Sequence, residues 1–147
     1  MAEQPSSEID RRCTFCRIAS GRDDKSELLY DDDNFVAFRD IRPAAEHHYL
    51  VVPKRHVGNP KSLAGSADRD LVEELLEVAK SVVGKRGGDP EAARYGFHWP
   101  PFNTVQHLHL HAIYPPDQMG FFSRLAYRPN SLWFVTADWL LDRLASK

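Results

Sequence analysis

The 147-residue chain contains little cysteine, no long apolar run and no surplus of charge of one sign. Two cysteines are too few for a disulfide scaffold and favour a reducing, intracellular environment. The 19 basic and 21 acidic residues argue against a general nucleic-acid-binding protein, which usually carries a large basic surplus. No stretch approaches the roughly 18 apolar residues of a membrane-spanning helix. We therefore expect a cytoplasmic protein, small enough to enter the nucleus, without membrane or nucleic-acid partners.

Length and composition predict one globular domain. The chain falls within the roughly 100–200 residues of a single domain and can bury about two-thirds of the surface of its unfolded form. Residues 1–10 are polar and lack the apolar segment of a signal peptide, so we expect a loose tail and no secretory leader there. Residues 11–147 are expected to form the domain itself.

The pattern of apolar residues predicts an α+β fold with a mostly antiparallel sheet. About five strands are expected, each bounded by turn-forming residues: 28–30, 35–38, 48–53, 95–98 and 105–114. Short strands that follow one another closely are typical of hairpins, which favours antiparallel pairing.

Three helices are expected beside this sheet. The clearest is long, runs over about 68–83 and carries one apolar stripe, with Ser66 or Asp68 capping its start and the glycines at 84, 87 and 88 ending it. A short N-terminal helix is predicted over 13–21 and a C-terminal helix after Thr136.

Three of the seven histidines alternate along one predicted strand. Successive side chains of a strand point to opposite faces, so His107, His109 and His111 share one face while Leu108 and Leu110 point to the other. The alternative to a functional row is a solvent-exposed strand face that is rich in histidine by chance. Each neutral imidazole needs partners for one donor and one acceptor, which favours a chemical role for the row.

Two kinds of chemistry suit such a row. Imidazoles can bind a metal ion, but a mononuclear site needs a further ligand, and no glutamate follows Glu91. Imidazole can also act as a nucleophile, because it is neutral and exchanges protons near pH 7 without a large pKa shift. Imidazole suits attack on phosphorus, because the resulting phospho-imidazolium is labile and water can break it.

The segment His107-Leu-His-Leu-His-Ala-Ile113 resembles the alternating signature of the histidine triad superfamily. Asp40-Ile-Arg-Pro43 and the run 48–56 resemble the upstream half of the same domain, and Phe15 with Ile18 resembles its opening. The resemblance spans roughly 13–115 and implies a histidine triad fold for residues 11–147, with about 117–147 as a C-terminal extension. It also implies a homodimer, the usual state of the family.

The resemblance implies a nucleotidyl hydrolase with His109 as nucleophile. His109 would attack the α-phosphorus of a nucleoside phosphoramidate or acyl-adenylate, and water would release AMP from the covalent nucleotidyl-histidine. His111 would hydrogen-bond a phosphoryl oxygen or the leaving group, and His107 and His48 would orient the rings. This chemistry requires no cofactor. A dinucleoside polyphosphate hydrolase and a nucleotide-binding regulatory or scaffold protein are the alternatives.

The substrate implied by the resemblance is a purine nucleotide in the form of an AMP conjugate. Asp40 would hold the ribose, and the loop before the triad departs from better-known members, because His98 stands near their asparagine and Thr104 can replace their serine. A His98 ring stacked on Trp99 or Pro100 is the alternative without function. The expected nucleotide contacts are Phe15, Ile18, Phe38, Arg39, Asp40, Ile41, His98, Asn103, Thr104, His109 and His111.

The two cysteines form a C-x-x-C pair, Cys13 and Cys16. They could be a redox dithiol, two small buried side chains or half of a zinc site. The βαβ context of a redox dithiol is missing. Some histidine triad proteins hold structural zinc with such a pair and two histidines, and the corresponding residues here are His56 and His107. All four ligands of that zinc would be protein side chains, which leaves no open position for catalysis.

Overall fold

The computed structural model describes residues 27–102 and 107–145. Within these ranges the chain forms one six-stranded sheet and three α-helices. The strands are β1 (Leu28–Asp31), β2 (Phe35–Arg39), β3 (His47–Pro53), β4 (Arg94–His98), β5 (Leu110–Tyr114) and β6 (Phe134–Thr136). The helices are α1 (Gly65–Lys85), α2 (Phe121–Ala126) and α3 (Ala137–Ala145), with short 3-10 turns at Pro60–Ser62 and Pro116–Gln118. The predicted tail over 1–10 and the predicted helix over 13–21 lie outside the described residues.

The sheet confirms the predicted antiparallel α+β architecture. Its order is β1-β2-β3-β5-β4-β6, and every neighbouring pair is antiparallel. Asp32 closes the predicted turn between β1 and β2, because its Oδ1 accepts hydrogen bonds from the backbone amides of Asn34 and Phe35, both at 2.7 Å. None of the helices in the described ranges has the length and hydropathy needed to cross a membrane.

The prediction of about five strands was wrong by one. The sixth strand, β6, has three residues, too few for the alternation by which strands are recognised. It pairs with β4 at Gly96, which lies opposite Thr136. A Cβ at Gly96 would stand 2.5 Å from the Phe134 ring and 2.5 Å from the carbonyl oxygen of Val135, so only glycine allows this close pairing.

The strand that carries the histidines is shorter than predicted. β5 begins at Leu110 rather than at 105, so only His111 of the three lies within it. Upstream, the Leu108 amide donates to the carbonyl oxygen of Val57, and the His107 carbonyl accepts from the His109 ring, so neither backbone group joins the sheet ladder. Leu108 nevertheless packs into the main core, as Leu110 does.

Helix α1 confirms the predicted long helix and is slightly longer at each end. Neither Ser66 nor Asp68 is its N-cap; the helix begins after Ala64, whose amide donates to Asp68 Oδ2 at 2.8 Å. Gly84 lies within the last turn, and Gly87, with φ of +99°, lies beyond the helix end. The buried stripe consists of Leu71, Val72, Leu75, Leu76, Val78, Ala79, Val82 and Val83.

The two faces of the sheet have different roles. α1 and α3 cover one face, where Tyr49, Val51 and Leu110 contribute to the main core. α3 is capped by Thr136, whose Oγ1 accepts from the Trp139 amide at 3.2 Å. The other face carries His48 and His111 together with a small cluster of Val36, Phe38, Leu50 and Val52. The functional candidates therefore lie on the face opposite the long helix.

Candidate active site

Four histidines from three strands and an adjoining loop meet on this face. His111 on β5 lies at the centre, with ring centroids 5.2 Å from His48, 5.0 Å from His98 and 5.0 Å from His109. The strand pairing brings these side chains together, because β5 pairs with β3 on one side and with β4 on the other. All four side chains are buried or half-buried. The alternative of a solvent-exposed row of histidines is therefore wrong.

A backbone amide fixes the proton on His48. The Ala44 N–H donates to His48 Nδ1 at 2.9 Å, so Nδ1 must accept and the proton of the neutral ring lies on Nε2. Nε2 is 3.0 Å from His111 Nδ1 and donates to it. The proton of neutral His111 therefore lies on its Nε2, which is buried and has no hydrogen-bond partner within the described residues. This leaves one buried N–H donor available to a ligand.

Asp40 lies beside this histidine pair. Its Oδ2 is 3.4 Å from His48 Nε2 and 3.9 Å from His111 Nδ1, while its Oδ1 accepts from the Arg42 amide at 2.8 Å. Two histidines and a carboxylate within this range resemble a metal site. Metal binding by His48 Nε2 would force its proton onto Nδ1, against the Ala44 N–H. The backbone therefore favours a hydrogen-bonded relay over a metal at this position.

A backbone carbonyl fixes the proton on His109. His109 Nδ1–H donates to the carbonyl oxygen of His107 at 2.7 Å, and because a carbonyl can only accept, the proton must lie on Nδ1. In the neutral ring Nε2 is then the unprotonated nitrogen. That nitrogen has the lone pair that a nucleophile requires.

Burial keeps these imidazoles neutral near pH 7. Loss of solvation lowers the pKa of His109 and of His48 to about 4 each, although Asp40 partly opposes the shift of both. Burial also lowers the pKa of His98, and it lowers that of His111 well below its ordinary value, with His109 and His48 adding repulsion. Neutral rings are what both the relay and the nucleophile need.

His107 faces a different neighbour from the other triad members. Its Nε2–H donates to the carbonyl oxygen of Pro53 at 2.9 Å, and the His56 ring meets it edge-on with centroids 4.9 Å apart. Because Nε2 carries the proton, Nδ1 is the unprotonated nitrogen of neutral His107. In a metal-binding histidine, one ring nitrogen binds the metal and the other typically donates to a carbonyl oxygen or a carboxylate. Of the four residues expected at zinc, these two lie together, and Cys13 and Cys16 lie outside the described residues.

His98 packs against the histidine cluster and not against its chain neighbours. Its Nε2–H donates to the carbonyl oxygen of Ala126 at 3.0 Å, and its ring contacts His111, Tyr127 and Phe134. The alternative of a ring stacked on the residues next to it in the chain is therefore wrong. The bond to Ala126 connects β4 to the C-terminal extension.

Four of the expected nucleotide contacts, Phe38, Arg39, Asp40 and Ile41, occupy the end of β2 and the loop after it. Asp40 reaches the histidine cluster, whereas Ile41 is 92% exposed and Arg39 is exposed beside it. Phe38 is buried in the small cluster on the same face of the sheet. The expected contacts Phe15, Ile18, Asn103 and Thr104 lie outside the described residues.

Two aromatic residues of the extension join the site and were missed in the sequence. Tyr127 contacts the rings of His48, His98 and His111, and Phe134 packs behind His98 and His111. Sequence reasoning also left out His47, whose Nδ1 pairs with the Tyr49 hydroxyl at 2.6 Å on the core side. An apolar and aromatic segment following the triad was the available signal for the first two.

Comparisons with known proteins show which family this chain is similar to. A family model described as "Scavenger mRNA decapping enzyme C-term binding" matches residues 12–126. The chain is 52% identical over 136 residues to adenosine 5'-monophosphoramidase HINT3 of Xenopus tropicalis, covering 92% of this chain and 88% of that protein. It is 44% identical over 137 residues to the protein of the same name from Mus musculus, covering 92% and 82%. A solved HIT family hydrolase from Legionella pneumophila Philadelphia 1 superposes with a TM-score of 0.63 at 33% identity, covering 69% and 90%.

Proposed function

This chain belongs to the histidine triad superfamily, and we propose on that basis that it is an adenosine 5'-monophosphoramidase. One observation carries the proposal: the His107 carbonyl holds the Nδ1 proton of His109, so that Nε2 of a buried, neutral ring is the nucleophilic atom. Relatives that are 44% and 52% identical bear the name of this activity. The substrate class we propose is an AMP conjugate with a P–N or acyl-phosphate bond.

The first step of the proposed reaction is attack by His109. Its Nε2 forms a bond to the α-phosphorus, and the bond from phosphorus to the leaving nitrogen breaks. The departing amine takes a proton from His111 Nε2–H, the buried donor without a partner in the described residues. The His48–His111 pair is then one proton short; His48 Nε2–H, 3.0 Å from His111 Nδ1, stabilises the deprotonated ring by its hydrogen bond until the second step returns the proton.

The second step of the proposed reaction is hydrolysis of the nucleotidyl-histidine. Water attacks phosphorus, the bond to His109 Nε2 breaks, and the proton lost by water returns to the His48–His111 pair. AMP leaves and His109 is again neutral. Asp40, next to this pair, would hold the ribose hydroxyls through its carboxylate, as the family resemblance implies. No step requires a metal or an organic cofactor.

A comparison of substrates tests the proposal. Purified protein is assayed for AMP release from adenosine 5'-phosphoramidate, an acyl-adenylate and a diadenosine polyphosphate under identical conditions. We expect the phosphoramidate to be cleaved with the highest kcat/KM. A clear preference for the polyphosphate would instead support the dinucleoside polyphosphate hydrolase. Binding of AMP without turnover of any of the three would support a regulatory or scaffold protein.

We also propose a structural zinc ion held by Cys13, Cys16, His56 and His107. The edge-on contact of the two histidines and the bond from His107 Nε2–H to Pro53 support it. Bound zinc would link the N-terminal segment to the loop after β3 and would supply stability and no catalytic step.

Metal analysis tests the zinc proposal. We expect about one zinc per purified chain and a large loss of thermal stability on chelation or in Cys16→Ser. Two results together would contradict the proposal: the purified wild-type protein contains no metal, and its melting temperature is the same with and without chelator. Loss of turnover on chelation with an unchanged fold would point instead to a catalytic metal.

A further inference from the structure

We propose that Tyr127 is a positioning residue for His111 and that the C-terminal extension is thereby part of the active site. The inference rests on the proposed function, because it concerns how the proton reaches the leaving group. It assigns a role to a side chain that lies 16 positions beyond His111 in the chain.

The Tyr127 ring contacts three of the four clustered histidines. Its centroid is 5.2 Å from that of His111, 5.3 Å from His48 and 5.0 Å from His98. The contact with His48 is edge-on, with an interplanar angle of 86°. Tyr127 therefore touches both members of the His48–His111 relay and the histidine that packs behind it.

Three consecutive carbonyl oxygens hold the Tyr127 backbone in place. Leu125 O accepts from Trp133 Nε1 at 2.7 Å, Ala126 O accepts from His98 Nε2 at 3.0 Å, and Tyr127 O accepts from Arg94 Nη1 at 3.3 Å. The last carbonyls of a helix have no partner within the helix, so side chains of β4 and of the segment before β6 satisfy the end of α2. This arrangement fixes where the Tyr127 ring enters the site.

Tyr127 and Phe134 together restrict the His111 ring. Phe134 packs against His111 with centroids 6.2 Å apart and against Tyr127 at 5.5 Å. A half-turn of the His111 ring about χ2 would exchange Nδ1 with Cδ2 and Nε2 with Cε1, and would thereby remove Nδ1 from His48. Tyr127 and Phe134 pack against the His111 ring and oppose this turn, so Nδ1 stays on the relay and Nε2–H stays aimed away from it.

Removing the Tyr127 ring should therefore impair proton delivery and leave nucleotide binding unchanged. A poorly placed donor matters most when the leaving group is a basic alkylamine, which cannot depart as an anion. It matters little for a weakly basic nitroaniline. The expected signature is a fall in kcat that grows with the basicity of the leaving amine, at constant KM.

The test compares Tyr127→Ala with the wild-type full-length protein on adenosine phosphoramidates of graded leaving amines. We expect kcat to fall about 10- to 100-fold for an alkylamine and less than about threefold for a nitroaniline. KM should stay within about twofold. Tyr127→Phe keeps the ring and should behave as wild type. Phe122→Ala, at a side chain of the same extension that is 80% exposed, is the matched control.

A second measurement is independent of turnover. Long-range ¹H–¹⁵N spectra report which His111 nitrogen carries the proton, and we expect only Nε2–H in wild type and a mixture of both tautomers in Tyr127→Ala. If that variant does not fold, Tyr127→Leu retains an apolar side chain and takes its place.

Two results would overturn the inference: an equal loss of kcat for all leaving amines, or an unchanged His111 tautomer in the folded variant. If wild-type protein cleaves no AMP conjugate, the proposed function fails, and the tautomer measurement still decides the role of Tyr127.

Discussion

The protonation states of two ring nitrogens determine what this site can do. His48 carries its proton on Nε2 because of the Ala44 amide, and His109 carries its proton on Nδ1 because of the His107 carbonyl. One ring thus becomes a donor in a relay and the other a nucleophile, although both belong to the same residue type. The main chain, and not the intrinsic chemistry of imidazole, assigns the two roles.

Replacing His109 tests the nucleophile directly. We expect His109→Ala to lower kcat for AMP release by at least about 1,000-fold, because the covalent step is lost, while AMP binds with nearly unchanged Kd. Pre-steady-state quench experiments with labelled adenosine phosphoramidate provide the measurement. A variant that retains turnover near the wild-type rate would exclude a covalent intermediate on this residue.

Sequence reasoning identified most residues of the histidine cluster but not their surroundings. The alternation of His107, His109 and His111 with leucines is local, and strand geometry predicts from it which face each side chain occupies. The contacts of Tyr127 with His48 and His98 depend on how the chain returns after β5, and no local pattern encodes that return. For the same reason the position of His98 could be suspected but its partners could not be named.

At the scale of the elements, the pairing of β6 with β4 depends on the absence of a side chain at Gly96. We expect Gly96→Ala to lower the free energy of unfolding by about 1–3 kcal/mol, because the added methyl would overlap the Phe134 ring and the Val135 carbonyl. Urea unfolding measures the effect. Gly120→Ala is the matched control, since no heavy atom beyond its two chain neighbours lies within 4 Å of the new Cβ, and it should change stability by less than about 0.5 kcal/mol. Equal stability of the two variants would contradict the packing argument.

The elements were predicted unevenly, for physical reasons. α1 was identified because its buried residues, from Leu71 to Val83, repeat at helical spacing over about three and a half turns. β6 and α2 are short, and α2 buries none of its side chains, so neither has a periodic signal. The strand was predicted to begin at 105, whereas β5 begins at Leu110. The side chains of residues 107–109 still alternate between the two faces, but their backbone does not form the hydrogen bonds of the sheet. The homodimer and the cytoplasmic location remain predictions.

The free energy of unfolding should depend on pH because burial lowers the pKa of several histidines in the folded chain. An unfolded histidine has a pKa of about 6.5, whereas burial lowers the pKa of His48 to about 4 and also lowers those of His98 and His111. Between these values the unfolded chain binds more protons, so acid favours unfolding. We expect His48 alone to reduce the free energy of unfolding by about 2 kcal/mol from pH 7.5 to pH 5.

Urea unfolding at the two pH values measures this dependence. The window lies above the range in which most carboxylates titrate, which separates the histidine contribution from theirs. His48→Asn removes one titrating ring and should show a smaller loss of stability between pH 7.5 and pH 5. A wild-type midpoint that does not change over this interval would show that the rings are accessible to protons in the folded state.

The amide of Ala44 and the carbonyl of His107 have a consequence for protein engineering. Both are main-chain atoms, so almost every substitution at either position preserves the hydrogen-bonding group that sets the ring tautomer. Only proline at position 44 would delete its N–H. A designer can therefore vary the side chain at Ala44 widely when retuning substrate preference, provided that the path of the backbone stays unchanged.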